Sequence, residues 1–552
     1  MKIFFWRNRP SISAEEKKSL NKDRVLLIIS GILLALSFPP VPFPAPILLF
    51  FALVPYLIVI EKREKLIDLN RATYLMAFVF CLLTLYWVGS WQKKADTFLM
   101  ISGTLLVFVN PVFFLIPSTL LYFTRKIFSA KLTLYFLPVF YVAYEYAYML
   151  TDLSFPWLSL GNGLSHFTLF IQIADVIGQL GLTLVIVLIN VLLYKSMQVY
   201  KQNKKLLNLN SSILILILIL ILIYGVYKLN NFPRGAAKVR VGLIQPNLDP
   251  WEKWSGGSLD NLTDLYFELS DEAVKQGAKI VIWPETALPV YLRGGLHDDV
   301  VQSIHNFCDT NQVFLLTGMP DVKFYFDSLN LPKDAKYSEQ GNYHYVTYNS
   351  ILLFSPNKKF VESYGKMKLV PFGERVPFVD VFPFLGKLIK WSVGLSGWNI
   401  GKDTTVFQLN LDGKEIGVAG LVCYESIYPV FVSEFVKRKA DFIAVVTNDS
   451  WYGNLSGPYQ HKEFAALRAV ENRRSVVRAA NGGISCIINS LGETQQQSTM
   501  FSKAVIIGDV ELRSEETFFT KYSMLIPIIC LAFSIWIIGI SILFKMKIKF
   551  KL

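Results

Sequence analysis

Three strand ends carry the side chains best suited to covalent chemistry. Ile280-Val281-Ile282-Trp283-Pro284-Glu285 closes an apolar run on a carboxylate, and Leu421-Val422-Cys423-Tyr424-Glu425 closes another on a thiol. Tyr364-Gly365-Lys366 sets an ammonium ahead of the rigid turn Leu369-Val370-Pro371-Phe372-Gly373-Glu374. Loops at strand ends are where α/β proteins place reactive groups. A thiol attacks only as thiolate, a carboxylate takes its proton, and an ammonium stabilises the negative charge that develops on a substrate. Cys423, Glu285 and Lys366 together would make an acyl-transfer site without histidine. Each also has an inert reading: a buried cysteine is a small hydrophobe, a lone glutamate a cap or salt-bridge partner, a lone lysine a solvated group. Cys308 and Cys486 lack a comparable setting, and Cys81 and Cys530 lie in apolar runs. Lys368, two residues beyond Lys366, would face the same side of a strand, so the residues alone leave both lysines open.

The segment that must position these groups runs from 229 to 520 and alternates short Val/Ile-rich runs with polar, helix-like stretches. Gly, Pro and Asn boundaries predict strands at 238–245, 279–283, 313–317, 346–354, 416–423, 442–447, 484–489 and 505–510, with helices at 258–276, 298–311, 427–438 and 460–476. The pattern is an α/β layering, a sheet sandwich covered by helices.

Around that segment the chain reads as membrane. Of its 552 residues, 53% are hydrophobic and 18% charged, against roughly 25% charged in soluble domains. Apolar runs near 25–38, 44–60, 73–91, 98–123, 131–149, 167–193, 212–228 and 521–544 predict eight spans. The first two, joined by Pro39, Pro40, Pro42, Pro44 and Pro46, could instead form a re-entrant pair. Lysine and arginine fall at the N-terminal segment and then at every second loop, for example Lys62, Arg63 and Lys65, Arg125 and Lys126, Lys201 and Lys204, with Lys545 to Lys551 in the tail. By the positive-inside rule both termini are cytoplasmic and the 229–520 segment lies across the membrane. The organisation expected is a cytoplasmic segment 1–24, a membrane domain 25–228 with seven helices, the domain 229–520, an eighth helix 521–544 and a basic cytoplasmic tail 545–552. The formal charge of +13 is thus a membrane signature, and no nucleic-acid motif accompanies it. Val25 follows a long polar lead and further spans come after it, which does not fit a cleaved signal peptide. The five cysteines show no CxxC pair and offer neither a disulfide framework nor a zinc site.

Trp283-Pro284-Glu285-Thr286-Ala287, the Lys366 to Glu374 run and Cys423-Tyr424-Glu425 resemble the Glu-Lys-Cys signature of the nitrilase superfamily. Leu369 to Glu374, with Thr447-Asn448-Asp449-Ser450-Trp451-Tyr452-Gly453, Gln245 to Trp254 and Phe155-Pro156-Trp157-Leu158, is similar to the apolipoprotein N-acyltransferase family within it, and the resemblance covers essentially the whole chain. It implies a multi-span α-helical membrane domain plus an extracytoplasmic nitrilase-like αββα sandwich in a bacterial inner membrane. It also implies a ping-pong reaction. Cys423 takes an acyl chain from a phospholipid, typically phosphatidylethanolamine, as a thioester, and passes it to the α-amine of the diacylglyceryl cysteine of an apolipoprotein. In that scheme Glu285 is the general base and Lys366 the oxyanion partner, the family spacing selecting Lys366 over Lys368. Glu374 holds the lysine or serves as a second essential carboxylate, Tyr424 and Glu425 shape the site, Trp254 and Trp451 line the pocket, and Asn349 stands near the lysine strand.

Exposed apolar residues at Val376-Pro377-Phe378, Val381 to Leu385 and Ile389 to Trp398 would suit a loop touching the bilayer, or else are packed core. Two other functions compete: a membrane-tethered carbon–nitrogen hydrolase in which water replaces the amine, and an inert binding or transport protein that kept the fold. Against transport, the spans carry few ionisable residues, Glu145, Asp152 and Asp175 being the exceptions. No cofactor or metal is expected, and the partners are membrane phospholipid and apolipoprotein, with no nucleic acid and a monomeric chain.

Overall fold

The computed structural model describes residues 13–549 apart from 94, 234–236, 255–257, 328–330, 333, 383 and 386–396. Two sheets make up the domain. The first takes its strands from β1 (Lys238–Gln245), β2 (Ile280–Trp283), β3 (Phe314–Tyr325), β4 (Lys336–Ser338), β5 (Tyr343–Phe354) and β6 (Glu362–Gly365), closed by β13 (Ala504–Glu511). Its order is β13-β1-β2-β3-β5-β4, with β6 also on β5. The second holds β7 (Val406–Leu411), β8 (Lys414–Val422), β9 (Phe442–Thr447), β10 (Val476–Ala480), β11 (Cys486–Ile488) and β12 (Thr494–Gln497), in the order β12-β11-β10-β9-β8-β7.

At the heart of each sheet lie three parallel strands, β1-β2-β3 in one and β8-β9-β10 in the other. Parallel neighbours need crossovers, and four helices supply them: Leu259–Lys275, Asp298–Asn311, Pro429–Lys437 and Ser456–Asn472. Being buried on both faces, the central strands read as unbroken apolar runs, such as Phe442 to Val446, rather than alternating ones. The sheets pack face to face between their helices, which is the αββα layering expected from the sequence.

Among the described residues five helices are long and apolar enough to cross a membrane: Leu66–Gly89, Thr97–Thr124, Ala174–Asn203, Leu209–Asn231 and Leu525–Leu543. The other three expected spans take different forms. The run at 25–38 is the apolar end of the Ala14–Leu36 helix, whose first turns are charged. The run at 44–60 is broken into a 3-10 turn, Ala45–Phe50, and a short helix, Val54–Ile60, and the run at 131–149 yields the 13-residue helix Leu137–Met149. Pro44, Pro46 and Pro55 explain the second break, because proline lacks the amide hydrogen a continuous helix needs. The start of the chain and the last residues of the basic tail, with Lys2, Arg7, Arg9 and Lys551, lie outside the described residues.

The domain sits on the membrane helices through polar ties. The Ser456–Asn472 helix is buried along nearly its whole length because one face meets the sheet and the other the membrane helices. Its Gln460 carboxamide oxygen accepts from the indoles of both Trp87 and Trp157, at 3.1 and 2.7 Å. Arg468 donates to Gln179 at 3.0 Å, and Arg473, just past the helix, donates to Asp175 at 2.8 Å. Glu145 accepts from the Leu160 amide and the Thr183 hydroxyl at 2.9 and 2.8 Å. Two of the ionisable exceptions among the spans, Asp175 and Glu145, therefore serve as internal fasteners.

Candidate active site

The carboxyl ends of β2, β6, β8 and β9 converge on one cavity of ≈ 100 Å³, whose walls include Glu285, Asn349, Lys366, Glu374, Cys423, Asn448, Trp398, Trp451 and Tyr452. Glu285 follows β2 by two residues and is buried. Its loop passes so close to β3 that a Cβ at Gly318 would stand 2.6 Å from the Glu285 Cα, so that position requires glycine. Lys366 leaves the end of β6, where its amide donates to the Asn349 carbonyl at 2.8 Å. The next residues turn away, because the Glu425 carboxylate accepts from the amides of Met367 and Lys368 at 2.6 and 3.2 Å. The strand thus stops before Lys368, whose ammonium rests over the rings of Tyr428 and Phe431 in a separate cavity. The two lysines do not share a side as a continuous strand would require.

Cys423 is the first residue past β8 and opens the short 3-10 helix Cys423–Ile427. Its φ of 51° lies in the left-handed region, a costly backbone state for a residue with a Cβ. This sharp turn presents the thiol to the cavity at the head of a helical turn, where the first amides have no intrahelical acceptor.

The charges interlock. The Lys366 ammonium lies 2.8 Å from Glu374 Oε1 and 3.4 Å from Glu285 Oε1. The Asn349 amide donates to those same two oxygens at 2.9 and 2.7 Å. Glu285 Oε2 accepts from the Asn448 amide at 3.0 Å, and Glu374 Oε2 from that of Val370 at 2.8 Å. Burial raises the pKa of Glu285, against Lys366 and with Glu374. Burial also pushes the Cys423 thiol well up and Glu285 adds to this, with Lys366 opposing. For Lys366 burial works downward, but Glu374 and Glu285 overcome it and its pKa is raised. Burial and Glu285 thus favour the neutral thiol of Cys423, while the two carboxylates favour the charged ammonium of Lys366.

Glu425 does not face the cavity: besides those two amides, its carboxylate accepts from the Tyr364 hydroxyl at 2.7 Å and the Val422 amide at 2.8 Å. It ties the Cys423 turn to the lysine strand. Removing it in Glu425→Ala deprives the buried Val422 amide and the partly buried Met367 and Lys368 amides of their acceptor, and at ~1 kcal/mol each thermal unfolding is expected to show a loss of about 3 kcal/mol; an unchanged melting temperature would refute this role. Tyr424 points away as well, its hydroxyl donating to the Ser154 carbonyl at 2.8 Å and its ring stacking on Phe155. The Phe155-Pro156-Trp157 stretch of the membrane domain therefore braces the residue after the thiol. Trp254 is not among the described residues lining the cavity; Trp251 packs edge-on against Trp451 instead.

Sequence reasoning missed several neighbours. Leu99, from the membrane helix Thr97–Phe113, lines the cavity, and nothing local in its sequence marks it. Asn448 and Tyr452 flank Trp451 within the strand-end motif already singled out. Lys253, beside Trp254, is buried with its ammonium on the Thr286 carbonyl at 2.6 Å, and burial, opposed by Glu285, brings its pKa down to about 8. Cys423, Asp449 and His461 bring potential ligand atoms within 4.8 Å of one another. Asp449 is already engaged by the buried Arg478 guanidinium, whose positive charge opposes a cation there.

Comparison with known proteins adds the rest. The carbon-nitrogen hydrolase family model matches residues 240–518, and that of the apolipoprotein N-acyltransferase N-terminal domain matches 30–192. An apolipoprotein N-acyltransferase of Chlorobaculum tepidum is 35% identical over 93% of this chain and 95% of its own length. One from Geobacter metallireducens is 31% identical over 93% and 94%. A solved amidase of the nitrilase superfamily from Nesterenkonia AN1 aligns with 52% of this chain and 95% of its own at 17% identity, with a TM-score of 0.35. The chain belongs to the apolipoprotein N-acyltransferase family, a membrane branch of the carbon–nitrogen hydrolases.

Proposed function

We propose that the protein N-acylates the diacylglyceryl cysteine at the N-terminus of apolipoproteins, taking the acyl chain from a phospholipid such as phosphatidylethanolamine. The observation that carries this reading is the make-up of one cavity wall, in which Cys423, Glu285 and Lys366 stand beside Leu99 of a membrane helix. A soluble amide substrate needs no such neighbour, whereas an acyl chain arriving from the bilayer does.

In the first half-reaction Glu285 takes the thiol proton while Cys423 sulfur attacks the ester carbonyl. The oxyanion accepts hydrogen bonds from Lys366 and from the Tyr424 amide at the head of the 423–427 turn. On collapse the carbon–oxygen bond breaks, Glu285 returns the proton to the departing alkoxide, and a lysophospholipid leaves a thioester behind. In the second half the lipoprotein amine attacks the thioester, Glu285 takes the amine proton, the amide forms, and the proton passes back to the leaving sulfur. Glu374 and Asn349 hold Lys366 and Glu285 in register throughout. Phe378, Val381, Phe382 and Phe384, all well exposed, are the loop that meets the lipid surface; Pro383 and 386–396 lie outside the described residues. With basic loops inside, the reaction takes place on the periplasmic face of the inner membrane.

Purified protein incubated with phosphatidylethanolamine and a diacylated lipopeptide is expected to show the acyl mass on the Cys423 peptide, then on the lipopeptide amine. Cys423→Ala should show neither. Release of free fatty acid alone would favour the hydrolase, and the absence of any acyl-enzyme would favour an inert fold.

A further inference from the structure

Behind the thiol lies a buried set of side chains that this mechanism does not use. Ser426 Oγ is 3.0 Å from His461 Nε2, and His461 Nδ1 is 3.0 Å from Asp449 Oδ1. The order serine, imidazole, carboxylate has the look of a hydrolytic triad, yet all three are buried and the Ser426 hydroxyl is already donated to the Cys423 carbonyl at 2.7 Å. No substrate reaches it. The feature that stands out is the destination: the Cys423 carbonyl is met by that hydroxyl and also by His461 Nε2, at 3.2 Å.

A carbonyl oxygen only accepts, so the second contact is attractive only when Nε2 carries the proton. Nδ1 meets both an acceptor, Asp449 Oδ1 at 3.0 Å, and a donor, the buried Arg478 guanidinium at 3.2 Å, so it is served with or without a proton. Nε2 faces acceptors alone, the Cys423 carbonyl and a Ser426 oxygen whose own hydrogen is already given to that carbonyl, so in a neutral ring the proton sits on Nε2. Burial and then Arg478 lower the pKa of His461 against the pull of Asp449, so the ring is neutral. The Trp157 ring packs against it from the membrane domain.

In a trans peptide the carbonyl of one residue and the amide hydrogen of the next share a plane and point in opposite directions. Fixing the Cys423 carbonyl therefore fixes the Tyr424 N–H. It does so at a residue whose left-handed φ would otherwise favour relaxation of that plane. We propose that His461, with Ser426, is a positioning residue for the oxyanion hole: by clamping the Cys423 carbonyl from behind, it aims the Tyr424 amide at the oxyanion that forms when Cys423 attacks an ester. Arg478 donates to the bare Nδ1 and so supports that tautomer, and the Trp157 packing links this clamp to the membrane domain.

The inference rests on Cys423 being the acylated nucleophile, and two reactions of that thiol separate the possibilities. Acyl transfer from phosphatidylethanolamine builds an oxyanion; alkylation by iodoacetamide is a direct displacement and builds none. In His461→Asn, the rate of acyl-enzyme formation followed by mass is expected to fall by about 100-fold, the cost of a misplacement on the order of 1 Å at a reacting centre, with alkylation of Cys423 within about twofold of wild type. His461→Gln, whose longer amide reaches the Nε2 position, should recover most of the acylation. Ser426→Ala, which removes the other donor to the same carbonyl while leaving the imidazole itself in place, should repeat the selective loss. Parallel loss of acylation and alkylation would mean that the site has merely been disordered and would overturn the proposal, as would wild-type acylation rates in His461→Asn and Ser426→Ala, or no recovery in His461→Gln. Should the wild-type protein be alkylated at Cys423 yet form no thioester with any phospholipid, the nucleophile reading itself fails, and this inference with it.

Discussion

Replacing Lys366 by methionine is expected to lower acyl-enzyme formation by about a thousandfold or more and to destabilise the protein at neutral pH. Both effects follow from one geometry. Lys366 is 1% exposed and is the cation between Glu374 and Glu285, so its removal leaves two carboxylates sharing a buried site without a counter-charge. Breaking a buried ion pair on one side costs about 3–5 kcal/mol because the partner stays unsolvated. The carboxylates can escape that cost by taking up a proton, which raises their folded pKa above the unfolded value. The folded state then binds more protons than the unfolded one, so the stability of the variant should fall as pH rises through that raised pKa and recover on acidification. The proton also occupies the group needed to accept one from Cys423, and the oxyanion loses its charged partner. Thermal unfolding across pH, read beside single-turnover acylation, checks the two arms. A variant as stable as wild type at pH 8 would show that the lysine is not the counter-ion.

Much of this site was legible because each reactive residue ends a strand whose composition is unmistakable. β1 and β9 coincide with their expected bounds, since their Val/Ile runs are closed by Pro246 and Asn448 or opened by charged residues. The Asp298–Asn311 helix does so too, with two acids in its first turn. The helix expected at 460–476 instead covers Ser456–Asn472 and gives way to β10, because it ends on Arg473 in a left-handed conformation. Glycine is the usual signal for that turn, and arginine conceals it. β12 is Thr494 to Gln497, fully polar and exposed, and escaped a search for apolar runs.

What the sequence hid is what only folding brings together. Leu99 lies 324 residues from Cys423 and reaches the cavity only because the domain sits on the membrane helices. Trp87 and Trp157, far apart in the chain, share one glutamine of the domain. Lys366 and Lys368 were separable by family spacing but not by strand geometry, and the reason is Glu425, whose carboxylate collects the two amides after Lys366 and ends the strand there. Such a kink is a tertiary effect with no local signature.

Glu285→Gln should separate catalysis from the loss of a buried counter-charge, which Lys366→Met cannot. The amide matches the carboxylate in size but takes no proton, and a general base contributes about 10²- to 10⁴-fold. The loss should lie toward the upper end of that range, because burial and the neighbouring Glu285 charge hold the Cys423 thiol well above its usual pKa and no thiolate is waiting. Removing the negative charge also relieves the thiol of that neighbour, which recovers only part of the loss. In wild type the acylation rate should climb with pH as Glu285 loses its proton, at a pKa raised above 4.5 by burial and by Glu374 against the pull of Lys366. In Glu285→Gln that limb should vanish and be replaced by a slow rise at alkaline pH as the thiol itself ionises. Lys366 keeps Glu374 at 2.8 Å, so no buried charge is orphaned; the new amide nitrogen must face a donor, either the Asn448 amide or Asn349 with Lys366, so a loss of about 1–3 kcal/mol is expected, below that of Lys366→Met. If the wild-type limb persisted unchanged in Glu285→Gln, the proton acceptor would have to be sought in Glu374, the other carboxylate on Lys366.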